Sequence, residues 1–95
     1  MMEITRLIWD EWNVAHIARH GVVPQEVEEV CQGAYVSYES YDQRFEVIGA
    51  TQHGRILTLI LDPEPEQGVY YVVTAHTAGK KDRALYQKEK GGEAA

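Results

Sequence analysis

The chain has 95 residues, 44% of them hydrophobic and 25% charged, which suffices for one packed core and is too short for two. A single cysteine, Cys31, excludes a disulfide framework, no Cys/His spacing suggests structural zinc, and no apolar run approaches the roughly 20 residues that span a bilayer. A formal net charge of −6 argues against a protein that coats nucleic acid by charge alone.

The opening residues, Met1 to Arg6, carry neither the basic nor the apolar block of a signal peptide, so a soluble, cytoplasmic chain is expected. Ile4 to Trp9 reads as a short strand. Asp10 then caps a helix that runs to about His20 and stops at Gly21, with Trp9 and Val14 placed to form a hydrophobic staple. Pro24 opens a second helix that ends before Gly33, and Val23, Val27, Val30 and Cys31 form its apolar stripe. Glu26, Glu28 and Glu29 lie off that stripe, near the positive end of the helix dipole.

From Ala34 the hydrophobic period changes to two, and strands are expected at 34–39, 44–52, 55–61 and 69–76. Residues 56–61 are nearly all apolar and suit a central strand covered on both faces. A last helix spans about 79–90, and residues 91–95 should fray. The order β-α-α-β-β-β-β-α makes residues 1–95 one α+β domain, its helices packed on a mainly antiparallel meander sheet.

Charge is divided along this order. Residues 1–75 hold four Arg/Lys against twelve Asp/Glu, whereas residues 76–90 hold Lys80, Lys81, Arg83, Lys88 and Lys90 against Asp82 and Glu89. The basic segment is either a solvated helix face or a site for an anion or an acidic partner. Arg83, Tyr86 and Lys90 share one face of that helix.

In the first helix Val14, Ile17 and Ala18 cluster on one side, opposite Trp12, His16 and Arg19, with Asn13 and His20 flanking. The second stripe is a solvated face, or it holds an anion or a partner. His20 suits a dipole partner at the helix end, or proton transfer near neutral pH. His16 and His20 are spaced i, i+4, but no third ligand accompanies them and no metal is expected. Alternation on the last strand puts Tyr70, Val72, Thr74 and His76 on one face, and on the preceding strands groups Arg44 with Glu46 and Ile48, and Arg55 with Leu57 and Leu59. Cys31 lies on an apolar stripe and reads as core. No phosphate-binding glycine loop or nucleophile elbow is present.

Three blocks together carry a resemblance: Ile8-Trp9-Asp10-Glu11-Trp12-Asn13 continuing through His16-Ile17-Ala18-Arg19-His20-Gly21-Val22; Arg44-Phe45 with Ile48-Gly49 and Gly54-Arg55-Ile56-Leu57; and Val73-Thr74-Ala75-His76 with Arg83 and Tyr86. Over residues 4–90 this order resembles the BrnT family of small ribonuclease toxins from bacterial type II toxin–antitoxin modules. The resemblance implies a RelE-like fold, RNA cleavage that lowers translation, and neutralisation by a small antitoxin that also binds DNA, of ribbon-helix-helix type. Arg19, His20, Arg44, Arg55, Arg83 and Tyr86 match positions that the family fills with the same or like residues. The chain departs from the pattern at His76, where an arginine is usual, and in its acidic balance.

Two functions are therefore expected. The first is a cofactor-free, metal-independent endoribonuclease in which the RNA's own 2′-OH attacks the adjacent phosphate. Arg55 and Arg83 would meet phosphate charge, His20 or His76 would move the proton, and Tyr86 would orient or stack. Trp12, His16, Arg19, Arg44, Lys80 and Lys81 would hold RNA or a partner; a homodimer and the absence of a membrane partner are further expectations. The second is a catalytically inert toxin-fold module that binds protein, which the acidic balance and His76 favour.

Overall fold

Strand-forming residues from position 35 onward and short helix signals before it produce eight elements, seen here in a computed structural model that describes residues 2–94, with side chains described through Glu89. They are β1 (Arg6–Ile8), α1 (Glu11–Ala18), α2 (Pro24–Gln32), β2 (Tyr35–Glu39), β3 (Phe45–Ala50), β4 (Ile56–Pro63), β5 (Val69–Thr77) and α3 (Lys80–Ala94). The expected order is present, with a 3-10 turn at Tyr41–Gln43 between β2 and β3. The basic-face expectation for Lys90 lies outside the described side chains; the backbone of α3 continues past the expected end to Ala94, so residues 91–94 are helical where fraying was expected, and residue 95 lies outside the described residues.

One five-stranded sheet carries the fold, in the order β1-β5-β4-β3-β2. The four later strands form the antiparallel meander, and β1 adds in parallel to β5. The chain path leaves room for parallel pairing, because β1 is the first element and reaches β5 only through the whole intervening domain.

The sheet is covered on both faces, as the apolar β4 requires. Under α1 and α2 lie Leu57, Leu59, Leu61, Val47 and Val72, packed with Ile17, Val22, Val27 and Val30. The opposite face carries a smaller cluster, Ile48 with Ala78 and Tyr86, flanked by Val36, Ala50, Ile56 and Leu85 beneath α3. Gly49 is the close approach that lets α2 sit down, since a Cβ there would meet Val30 Cγ1 at 2.9 Å.

Three local expectations need correction. In α1 the buried residues are Asn13 and Ile17, whereas Val14 and Ala18 are exposed, because α1 packs on the edge of β5 and turns an amide toward it. In α2 Val23 is the N-cap and is exposed, so the stripe begins at Val27. In β5 a bulge intervenes: Ile60 pairs with Thr74 but Leu61 pairs with Val72. Val73 is the extra residue, so Val72 faces the larger core while Thr74 and His76 face the α3 side.

Candidate functional site

Asp10 makes the predicted cap and starts the site. Its Oδ1 accepts from Asn13 N at 2.9 Å, and its own N–H donates to Asn13 Oδ1 at 2.9 Å, a reciprocal capping box. Asn13 is fully buried, and its Nδ2 donates to the carbonyls of Ile8 (2.9 Å) and Val72 (3.1 Å). These bonds fasten α1 along β5 where β1 has ended and satisfy a strand carbonyl that would otherwise lack a partner.

That docking aligns four rings. Trp12 stacks on His16 with centroids 4.8 Å apart and 7° between planes. His16 meets His20 edge-on at 5.4 Å, and His20 meets His76 of β5 at 6.1 Å. Trp12 is 59% exposed, so the row ends in an indole open to solvent. His16 Nε2 lies 3.1 Å from Thr74 Oγ1. His76 Nδ1 lies 3.0 Å from the Thr77 carbonyl, which can only accept, so Nδ1 carries the proton and, in the neutral ring, Nε2 keeps its lone pair. A depression of about 120 Å³ between Trp12, Ala15, His16 and Arg19 adjoins the row.

Beside His76 across the sheet is Thr58, its register partner on β4. Thr58 Oγ1 donates to Asp82 Oδ2 of α3 at 2.7 Å. Glu46 of β3 faces the same carboxylate. Burial, then the Asp82 charge and a hydrogen bond to it, push the Glu46 carboxyl above the ordinary glutamate range, while His76 and Lys81 pull it down. Sequence reading missed this polar set of Glu46, Thr58 and Asp82, because nothing in the sequence of α3 tells which of its residues meets the sheet.

The remaining candidates separate. Arg55 is held by its neighbours: Nη1 donates to the Gly21 carbonyl (2.8 Å) and to both Glu26 carboxylate oxygens (3.0 Å each), and Nη2 donates to Thr77 Oγ1 (2.8 Å). Its charge is matched by Glu26, and it ties the residue after His20 to the residue after His76. Gly21 makes that tie feasible, with φ +72° at the turn. Tyr86 is 8% exposed, packs with Ile48 and Ala78, and directs its hydroxyl to the Ala34 carbonyl at 3.4 Å. A buried ring has no open face to stack on a base.

Arg44 lies toward the other end of the sheet, 4.0 Å from Asp62 and over the Tyr41 ring. Lys80, Lys81 and Arg83 are exposed on the first turn of α3, which starts four residues after His76, and Arg19 is exposed beside the row. Cys31 is confirmed as core lining: burial, with Glu28 adding, pushes its thiol up to about 12, far from a thiolate nucleophile. Among the described residues no group of three His, Cys, Asp or Glu is placed to hold a metal ion, and no helix is long and apolar enough to cross a membrane. Compared with protein-family models, curated proteins and solved structures, the chain matches none.

Proposed function

We propose that the chain is a metal-independent endoribonuclease of a type II toxin–antitoxin module, with a RelE-like fold and a small antitoxin as partner. The observation that carries this reading is the continuous row Trp12–His16–His20–His76, which sets imidazoles beside an exposed indole. RNA supplies its own nucleophile, so a protein need only place the strand, move two protons and meet developing charge. His76 Nε2 takes the proton from a 2′-OH, and that oxygen forms a bond to the adjacent phosphorus. The P–O5′ bond breaks, and a protonated His20 gives its proton to the departing O5′. The products are a 2′,3′-cyclic phosphate and a 5′-hydroxyl. Trp12 offers a stacking face to a base, and Arg19, Lys80, Lys81 and Arg83 meet phosphate charge. Arg55 acts through the turn it holds, as a positioning residue.

The test is cleavage of RNA by the purified chain free of any antitoxin. Activity should survive excess EDTA, leave cyclic or 3′-phosphate ends, spare DNA of the same sequence and fail on 2′-O-methyl substrates. His76→Ala and His20→Ala should each slow it by about 10²-fold. Cleavage that requires a metal, or 3′-hydroxyl products, overturns the mechanism.

A second reading, an inert protein-binding module of the same fold, is favoured by the placement of Arg55 against Glu26 and of Tyr86 in the core, which engages two of the five expected catalytic groups within the protein itself. Absence of cleavage with and without ribosomes selects it.

A further inference from the structure

The two borders of the sheet differ. At one, β1 is three residues long, and beyond it α1 lies along β5 with Asn13 capping the Val72 carbonyl. At the other, β2 is the last strand, and among the described residues no segment pairs with its outer side. A groove of about 480 Å³ follows that side, lined by residues 33–38 and Glu89. Tyr35-Val36-Ser37-Tyr38-Glu39 contains no proline, no lysine and no bulge, and its one charge, Glu39, stands at its end.

Ser40 N donates to Arg44 O at 2.8 Å, which makes 40/44 a hydrogen-bonded pair of the β2–β3 ladder. Antiparallel pairs alternate, so 38/46 and 36/48 are bonded and residues 35, 37 and 39 turn their N–H and C=O groups outward. The far side of β3 agrees: Thr51 N donates to Arg55 O, so residues 49, 47 and 45 bond β4 and leave 46 and 48 for β2.

This pattern is complementary to itself. Turned about an axis through Ser37, residue 37 meets 37 and residue 35 meets 39, so all the outward groups find partners. Val36 then sits opposite Tyr38 on the α3 face, a β-branched and aromatic pair, twice. Glu39 faces Tyr35, and no like charges are directly opposed along the strand.

We propose that β2 pairs antiparallel with β2 of a second copy of this chain about a two-fold axis through Ser37, joining two five-stranded sheets into one. The contact is isologous, closes on itself and stops at two copies. It stands independently of the ribonuclease reading, since no residue of the histidine row takes part.

Sedimentation velocity of the full chain at ~0.3 M salt, which screens the −6 charge of each copy, measures the association. A reversible dimer should appear as concentration rises toward about 0.1 mM, as suits a small interface. Amide exchange followed by NMR gives the register: amides of 35, 37 and 39 should gain protection with concentration, while those of 36 and 38 stay protected throughout. Ser37→Pro removes an N–H that β3 does not use and should give a folded monomer. Ser37→Lys keeps the backbone, sets two ammonium groups face to face on the axis, and should weaken the dimer at least 10-fold even if the proline variant misfolds. A chain that stays monomeric to about 1 mM, or a dimer that ignores Ser37→Lys or protects other amides, overturns the proposal.

Discussion

At the residue scale Asn13 shows how one polar side chain can organise a site. It is fully buried, completes the cap of α1, and supplies both amide hydrogens to carbonyls of β1 and β5. Asn13→Ala removes the amide and leaves two strand carbonyls and the Asp10 N–H without a partner, so it should cost about 3 kcal/mol in urea unfolding. Trp12, one residue away, is stacked on His16 and mostly exposed, so Trp12→Ala should change stability by about 0.5 kcal/mol or less. A large cost at Trp12 in the same titration would mean that the indole is structural and leave the row without an open stacking face. The contrast between the neighbours follows from their direction: one faces β5 and the other faces water.

At the element scale the three glutamates of α2 latch it to two connections, the β1–α1 link at Trp9 and the β3–β4 turn at Gln52 and Arg55. Glu28 accepts from Trp9 Nε1, Glu29 accepts from Gln52 N, and Glu26 takes the Arg55 guanidinium while also accepting from Val23 N. The Arg55–Glu26 pair is half-buried and shares its guanidinium with Gly21 and Thr77. Arg55→Met should therefore destabilise by roughly 2 kcal/mol, and a double-mutant cycle with Glu26→Gln should return a coupling of about 1 kcal/mol or more. A zero coupling would show the pair to be incidental.

Between sheet and α3 the Glu46–Asp82 contact makes stability depend on pH. Because the Glu46 carboxyl lies above its ordinary value of 4.5, the folded state binds this proton more tightly than the unfolded state. The contribution is therefore favourable at low pH and is lost as pH rises from about 4.5 through the raised folded value. Glu46→Gln should stabilise the protein at pH 7 by a few tenths of a kcal/mol, the scale of an exposed like-charge pair, and give no gain below about pH 4. Thermal unfolding of both proteins across that range checks the sign.

For the whole molecule the decisive feature is the distribution of charge. An acidic body meets a basic first turn of α3, where Lys80, Lys81 and Arg83 are exposed near His76. Reversing the three to Glu should move stability by no more than about 0.5 kcal/mol, since they are exposed, while weakening the proposed RNA binding and flattening its salt dependence by about two to three units of slope. A loss of several kcal/mol in stability, or unaltered RNA binding, would remove this face from the functional reading.

Much of this molecule was determined locally. The Asp10 cap, the left-handed turn at Gly21 beyond an α1 that ends at Ala18, two residues short of the expected end, Pro24 at the start of α2, the meander strands and the central position of β4 follow from interactions within a few residues or from a period of two, which a sequence displays directly. The histidines, Trp12 and Arg19 were recognisable as candidates by residue type, and alternation came close to placing His76. What the sequence did not contain was the single bulged residue in β5, the use of Asn13 instead of Val14 as the buried contact of α1, and the meeting of Asp82 with Thr58 and Glu46. Nor did it contain the capture of Arg55 by Glu26, 29 residues away, or the burial of Tyr86. Only the tertiary structure decided these, because a long side chain such as Arg55 or Tyr86 has the same chemistry exposed or buried, and its role is set by which distant carbonyl, carboxylate or apolar surface the packed sheet brings within reach.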